Sequence, residues 1–254
     1  MNAVALTHRS RLALAVTAAL ALFAFAWPLL WPPSASMDGT SQAPLLFALV
    51  LPAVIGLAVA EISSDGLEVK ALALLGVLSA VGAILRPLGA GTAGLETVFF
   101  TVILAGRVFG PGFGFLLGNS TLFVSALLMA GVGPWLPYQM LAAGFVGLVA
   151  GLLPPMSGRA EIALLAAYGA VAGFGYGLLM DFAFWPFSLG NETQLSFDGT
   201  ASAWTNLHHF LLYKLATAMG WDAGRAISNA AFIAVLGPAL LRVLRRAARR
   251  AAFD

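Results

Sequence analysis

The 254-residue sequence contains no cysteine, only three histidines and few charges, with Asp, Glu, Lys and Arg together making 9% of it. Without cysteine there is no disulfide, no thiol nucleophile and no thiolate to hold a metal. The histidines are His8, His208 and His209. The adjacent pair projects about 100° apart on a helix, so it cannot serve one metal site unaided, and an ordinary interfacial role is expected. A Gly-rich phosphate loop ending in Lys-Ser or Lys-Thr is also missing, which excludes nucleotide hydrolysis through that motif. No charged catalytic pair falls in the middle of an apolar run, as a membrane enzyme would need. No cofactor is expected.

What is there is apolar. At 60% hydrophobic residues and a mean hydropathy of +0.92, the chain has too little polar material to cover a water-facing surface, so it reads as an integral membrane protein. The 28 glycines run through apolar stretches as well as loops, as expected where helix backbones approach closely in lipid. A net charge of +2 comes largely from the chain ends and speaks to membrane orientation, not to nucleic acid.

The organising stretch is Ala105–Pro154. Two apolar runs, Phe113–Met129 and Trp135–Leu153, are separated by tight Gly/Pro punctuation and form a membrane hairpin. Before it, Leu12–Trp31 follows His8, Arg9 and Arg11 and closes on Trp31-Pro32-Pro33. A cleaved signal peptide is the rival reading, with Ala24-Phe25-Ala26 as the site. The run is longer than a signal core and ends on interfacial aromatics, which favours a retained span. A second span covers Pro44–Ala60, and the polar stretch Glu61–Lys70 lies outside lipid. A third, Ala71–Leu85, stops at Arg86-Pro87, and Thr97–Ala105 is a short, tilted span after the flexible loop Gly89–Gly94. Beyond the hairpin come Ala160–Met180, a loop over Ser188–Trp204, an interfacial helix over His208–Trp221 and a final span from Ala223 to Leu241.

Eight spans put both termini on one side. Arg9, Arg11, Lys70, Arg107, Arg159, Arg242, Arg245, Arg246, Arg249 and Arg250 then lie inside, ten of the 13 basic residues, while Arg86, Lys214 and Arg225 remain at the outer face. The positive-inside rule asks for that asymmetry. The expected fold is an all-α polytopic membrane protein of about eight transmembrane helices. Residues 1–62 give two N-terminal helices, 71–243 a six-helix core, and 244–254 a basic tail.

Polar groups in or near the spans stand out, because an unpaired polar group in lipid is costly. They are Glu96, Asn119, Ser120, Ser125, Gln139 and Asn229. Interhelical hydrogen bonding explains any one of them. Glu96, Trp135, Tyr138, Gln139 and Asp181 fall near the outer ends of spans, where with Tyr176 they could line a pocket for a ring-bearing ligand. For Asp181 a plain ion pair with Lys214 is an open alternative. On the third span, Gly76-x-x-x-Ala80 and Ser79-x-x-x-Ala83 form a smooth stripe, and Gly144, Gly147 and Gly151 do the same later.

From Ala71 to Leu241 the order is GVLSAVGAILRPLG, a loop, a short span, LAGRVFGPGFGFLLGNSTLFVSALL and AGVGPWLPYQMLAAGFVGLVAGLLP. With its Gly-Pro-x-x-Gly step at Gly110–Gly114 and its GPWxPxQM run at Gly133–Met140, this order resembles the substrate-binding S component of energy-coupling-factor (ECF) vitamin transporters, with a lean toward the cobalamin branch. The resemblance implies a subunit of the bacterial plasma membrane that captures a vitamin-like small molecule from outside. It also implies docking on a coupling (T) membrane protein with two ATPase subunits and toppling to release substrate inside. It places docking on the small residues of the first core helix, here Gly76, Ser79, Ala80 and Ala83, and ligand cover on the loop Arg86–Leu95, the 131–139 turn and part of 188–222. A stand-alone ion-coupled transporter is the first rival; it calls for buried titratable groups and inverted repeats, and neither is evident. A membrane enzyme or assembly factor is the second.

Overall fold

A computed structural model describes residues 6–30, 51–53, 55–56, 59–60, 69–89, 92–129, 131–189 and 193–250. Helix is the regular structure there, and no strand occurs among the described residues. In lipid a single segment can satisfy its own backbone donors and acceptors only as a helix, so apolar runs of this length have one solution. The helices are α1 (His8–Phe25), α2 (Trp27–Leu30), α3 (Val69–Leu85), α4 (Phe99–Phe109), α5 (Pro111–Leu128), α6 (Leu136–Leu152), α7 (Gly158–Phe184), α8 (Ala203–Tyr213) and α9 (Met219–Arg250). Among the described residues five helical stretches are long and apolar enough to cross a membrane: His8–Phe25, Val69–Gly89, Pro111–Leu128, Gly158–Phe187 and Ala203–Arg250; Phe99–Phe109 and Leu136–Leu152 are shorter and also apolar. The expected second span lies largely outside the described residues, as does most of Glu61–Lys70.

The core is a bundle of α3 to α9, with α5–α6 and α7–α9 as its most extensive pairings and α4 wedged against α5, α6 and α9. The short fourth helix is therefore an inner element. Eight of its residues are buried, from Phe99 to Phe109, and Val102, Ile103, Leu104 and Ala105 are fully enclosed. Its 11 residues span about 16 Å at 1.5 Å per residue, too short to cross lipid alone, and protein neighbours on every side make that tolerable.

Glycine sets the distance between these helices. A Cβ at Gly147 would overlap the carbonyl of Gly114, one at Gly106 or Gly114 would overlap the carbonyl of Gly147, and one at Gly118 would overlap that of Ala143. The backbones of α4, α5 and α6 thus touch directly. The turn between α4 and α5 is made by Gly110, whose φ of 97° lies in the region open to glycine, followed by Pro111 in the first turn of α5. Gly144 and Gly151 also pack inward, against Asn119 and Phe115 and against Gly110-Pro111. The later small-residue stripe is consequently an internal seam and offers nothing to a partner.

The stripe on α3 divides. Gly76 and Ala80 are exposed, and nothing lies within 4 Å of the place a Cβ would take at Gly76. Ser79 and Ala83 are buried, with the Ser79 hydroxyl 2.6 Å from that of Ser120 on α5. Four-residue spacing keeps each pair on one face, but the two faces differ.

The last helix is the other departure. The interfacial helix expected over His208–Trp221 is not separate: α8 continues through a π-helical turn, Lys214–Ala218, into α9, one run from Ala203 to Arg250. Its 48 residues measure about 72 Å, far beyond a hydrocarbon core of about 30 Å. Ser202 caps its start, accepting from the Thr205 N–H at 3.1 Å. Trp185, Phe197 and Phe210 form a second small core, with the Trp185 indole donating to the Leu195 carbonyl at 2.6 Å.

The chain direction puts Arg9, Arg11, Lys70, Arg107, Arg159 and the five arginines of the α9 tail at one end of the bundle, and Arg86, Lys214 and Arg225 at the other. At the basic end, the buried Glu161 accepts from Arg107 Nε at 2.8 Å and from Arg245 Nη2 at 2.6 Å, tying α7 to α4 and α9. At the opposite end α1 is held by its last turn, where Phe25 meets Tyr138 with ring centroids 5.3 Å apart and the Trp27 indole donates to the Ala183 carbonyl at 2.8 Å.

Backbone contact at glycine predicts a sharp contrast. Gly147→Ala is expected to destabilise the protein by about 1–3 kcal/mol or more through overpacking, whereas Gly76→Ala changes stability little. Thermal unfolding of the two variants in detergent checks this, and equal midpoints would contradict the α4–α5–α6 contact.

Candidate functional site

The end of the bundle that carries Arg86, Lys214 and Arg225 has a cleft of about 320 Å³, the lower end of the range for small-molecule sites. Three segments build it. The first is the loop after α3, which contributes Arg86, Gly89, Gly94, Leu95 and Glu96. The second is the turn between α5 and α6 with the first turn of α6, which contributes Met129, Gly131, Trp135 and Gln139. The start of α9 supplies Trp221 and Arg225.

The first loop is pinned. A 3-10 turn, Arg86–Gly89, ends α3 at Pro87, and the Thr97 hydroxyl donates back to the Leu85 carbonyl at 2.6 Å. Gly94 has a φ of 79°, and its Cα presses on the Trp221 carbonyl so closely that a Cβ would collide with it; Gly224 presses in the same way on the Ala93 carbonyl. Only glycine permits this seating of loop on helix. The backbone N–H of Glu96 then donates to the Ser228 hydroxyl at 3.1 Å, and Glu96 Oε1 accepts from the Val98 N–H at 3.2 Å. Removal from water pushes the Glu96 carboxyl above its ordinary range, and the positive charges of Arg225 and Arg86 pull it back.

The second turn is equally fixed. The Gly131 N–H donates to the Ala126 carbonyl at 2.8 Å, and the Leu136 N–H to the Gly133 carbonyl at 2.9 Å. The Trp135 ring lies directly over Gly133, where a side chain would displace it. Trp135 and Trp221 remain 44% and 49% exposed, two flat faces free at the mouth.

Two arginines enter the cleft with different attachments. Arg86 reaches only neutral oxygens, donating from Nη2 to Gln139 Oε1 at 3.2 Å and from Nη1 to Ser125 Oγ at 3.4 Å, and forms no ion pair among the described residues. Arg225 donates from Nη1 to Asp222 Oδ1 at 2.7 Å and lies over the Tyr176 ring, 5.3 Å from its centroid. Its Nε is buried and has no hydrogen-bond partner. Behind it, Lys214 of the π-turn is buried between Asp222 and Asp181 and pairs with both.

Of the residues expected to bind substrate, Glu96, Trp135 and Gln139 meet in the cleft. Tyr138, Tyr176 and Asp181 do not line it. Tyr138 points into the bundle, fully buried between Phe25 and Phe184. Tyr176 sits beneath Arg225 and against Phe99, with centroids 4.7 Å apart. Asp181 is engaged by Lys214, the simpler of the two readings open for it. Of the 188–222 segment, Trp221 alone reaches the cleft among the described residues. Arg86, Arg225 and Trp221 are the additions. The charge distribution held the signal for the arginines: they are two of the three basic residues at the end of the bundle that carries few of them.

The family model described as ECF transporter, substrate-specific component, matches residues 70–247. No curated protein and no solved structure matches the chain.

The ionic network behind the cleft makes a prediction about stability. Asp222→Asn leaves Lys214 and Arg225 buried with one carboxylate, Asp181, between them, and is expected to cost on the order of 3–5 kcal/mol. Asp198→Asn, on an exposed loop, should stay within about 0.5 kcal/mol. Denaturation of both variants side by side is the measurement, and a tolerant Asp222→Asn would show the network to be weakly coupled.

Proposed function

The chain belongs to the family of ECF transporter substrate-specific components, and from that premise we propose that the cleft is where it captures a vitamin-like small molecule for ATP-driven import. The observation that carries this reading is the cleft itself. It is walled by two pinned turns and the start of a long helix, lined by tryptophan faces and a few convergent polar groups, and set at the end of the bundle with fewest basic residues. By the positive-inside rule that end faces outward, with both termini cytoplasmic in a bacterial plasma membrane. A cleft of about 320 Å³ favours a single-ring or fused-ring vitamin over cobalamin, whose corrin ring system is several times larger.

Energy comes from partners in this reading, a coupling membrane protein with two ATPases, since the chain has no phosphate-binding loop of its own. Docking falls to the open face of α3 at Gly76 and Ala80, where another helix can approach closely; Ser79 and Ala83 support that face from inside. The alternative of a stand-alone ion-coupled transporter loses ground because the buried carboxylates Glu161 and Asp222, and the partly exposed Asp181, are each held by basic side chains.

Two measurements test the proposal. Purified protein should bind a vitamin without ATP, and Gln139→Ala should weaken that binding more than Asn229→Ala, because Gln139 lines the cleft and Asn229 is buried below it. In cells supplying the partners, Gly76→Leu or Ala80→Leu should reduce uptake severalfold and leave binding unchanged. Absence of binding across a full vitamin panel would sink the reading.

A further inference from the structure

The chemistry of the cleft says more about what it takes than its shape does. Arg86 and Arg225 both line it, yet Arg86 has neutral partners only, and Arg225 keeps an unpartnered buried Nε beside the Nη1 that Asp222 holds. A partly buried guanidinium such as that of Arg86, with no carboxylate in contact, is costly to maintain, and an anion in contact relieves it. Asp222 on one edge and the Tyr176 face beneath fix the plane of Arg225, so its fork is oriented before anything binds. On another wall of the same cleft Glu96 has no cation in ion-pair distance among the described residues; its carboxylate accepts from the backbone N–H groups of Val98 and Thr97, and Arg225 and Arg86 act on it only at longer range. Trp135 and Trp221 stand open at the mouth.

We propose that the molecule taken by this cleft is a flat organic acid, its carboxylate held by Arg86 and Arg225, its ring laid against Trp135 and Trp221, and an N–H or O–H elsewhere on it donating to Glu96. The inference rests on the capture function proposed above and names the substrate class of that site. A carboxylate is favoured over a phosphate on two grounds. It is planar and matches a guanidinium fork edge to edge, and it carries a single charge, whereas a dianion would sit in the same small cleft as Glu96. A cationic ligand would face two arginines across one glutamate. A purely neutral one could accept a hydrogen bond from Arg86 or from the Arg225 Nε but would bring no countercharge to either.

The test uses the full-length protein in detergent and matched probes that differ only at the acid. These are nicotinate with nicotinamide and biotin with biotinamide, together with thiamine, pyridoxine and riboflavin. The expected result is binding of at least one acid, with its amide counterpart roughly tenfold weaker or more. Arg86→Gln should close most of that gap, and Arg86→Lys, which keeps the charge but loses the fork, should fall between. The comparison within wild-type protein stands even if a variant fails to fold. Equal binding of acid and counterpart, or retention of thiamine, pyridoxine or riboflavin alone, overturns the acid assignment and leaves the capture function intact. If no probe binds, both are overturned.

Discussion

Direct backbone contact among α4, α5 and α6 is the constraint from which the rest of the molecule follows. Lipid tails are as apolar as leucine, so helices in a membrane gain little from hiding apolar side chains from each other and depend on close packing. Gly106, Gly114 and Gly147 bring three helices to carbonyl contact, and Gly118, Gly144 and Gly151 extend the seam along α5 and α6. That tight unit lets an 11-residue helix exist inside the bundle, since α4 has protein on every side. It also sets where α5 ends and α6 begins, and so where Trp135 and Gln139 stand.

The second layer of order is electrostatic. Basic residues gather at one end, and those at the other end are each absorbed into a specific arrangement. Lys214 is locked between two aspartates, Arg225 is fixed by Asp222 and Tyr176, and Arg86 leans on neutral oxygens. The π-turn at Lys214–Ala218 belongs to this layer. An extra residue in the turn is rarely neutral in energy, and such turns recur at functional sites; here the turn carries the lysine whose carboxylate partner positions a cleft arginine. The loop over Gly94 and Glu96 links the two layers, because it is seated on the same stretch of α9 that presents Trp221 and Arg225.

Much of the architecture could be read along the chain. The spans of α3, α5, α6 and α7 follow from apolar runs bounded by Pro87, Gly110-Pro111, the Gly133-Pro134 turn and Pro154-Pro155, and the hairpin at Ala105–Pro154 is where hydrophobicity places it. Glu96, Trp135 and Gln139, which stand at span ends, line the cleft. Tyr138 and Asp181 share that position and do not, because nearness to a span end fixes depth along the bundle and says nothing about rotation around the helix. The same ambiguity split the α3 stripe, sending Ser79 and Ala83 inward and leaving Gly76 and Ala80 out.

The sequence by itself determined that this is an all-helical membrane protein, which end of it is basic, and which turns punctuate it, because composition, charge asymmetry and Gly/Pro placement are one-dimensional quantities governed by the bilayer. Tertiary structure alone decided the rest. Residues 53 positions apart or more, such as Arg86 and Gln139 or Gly94 and Trp221, meet only when helices have packed, and the π-turn that carries α8 on into α9 holds the lysine that pairs with both Asp181 and Asp222. Pairing of distant polar groups in a low-dielectric interior is a property of the packed bundle, and no local pattern in the chain encodes it.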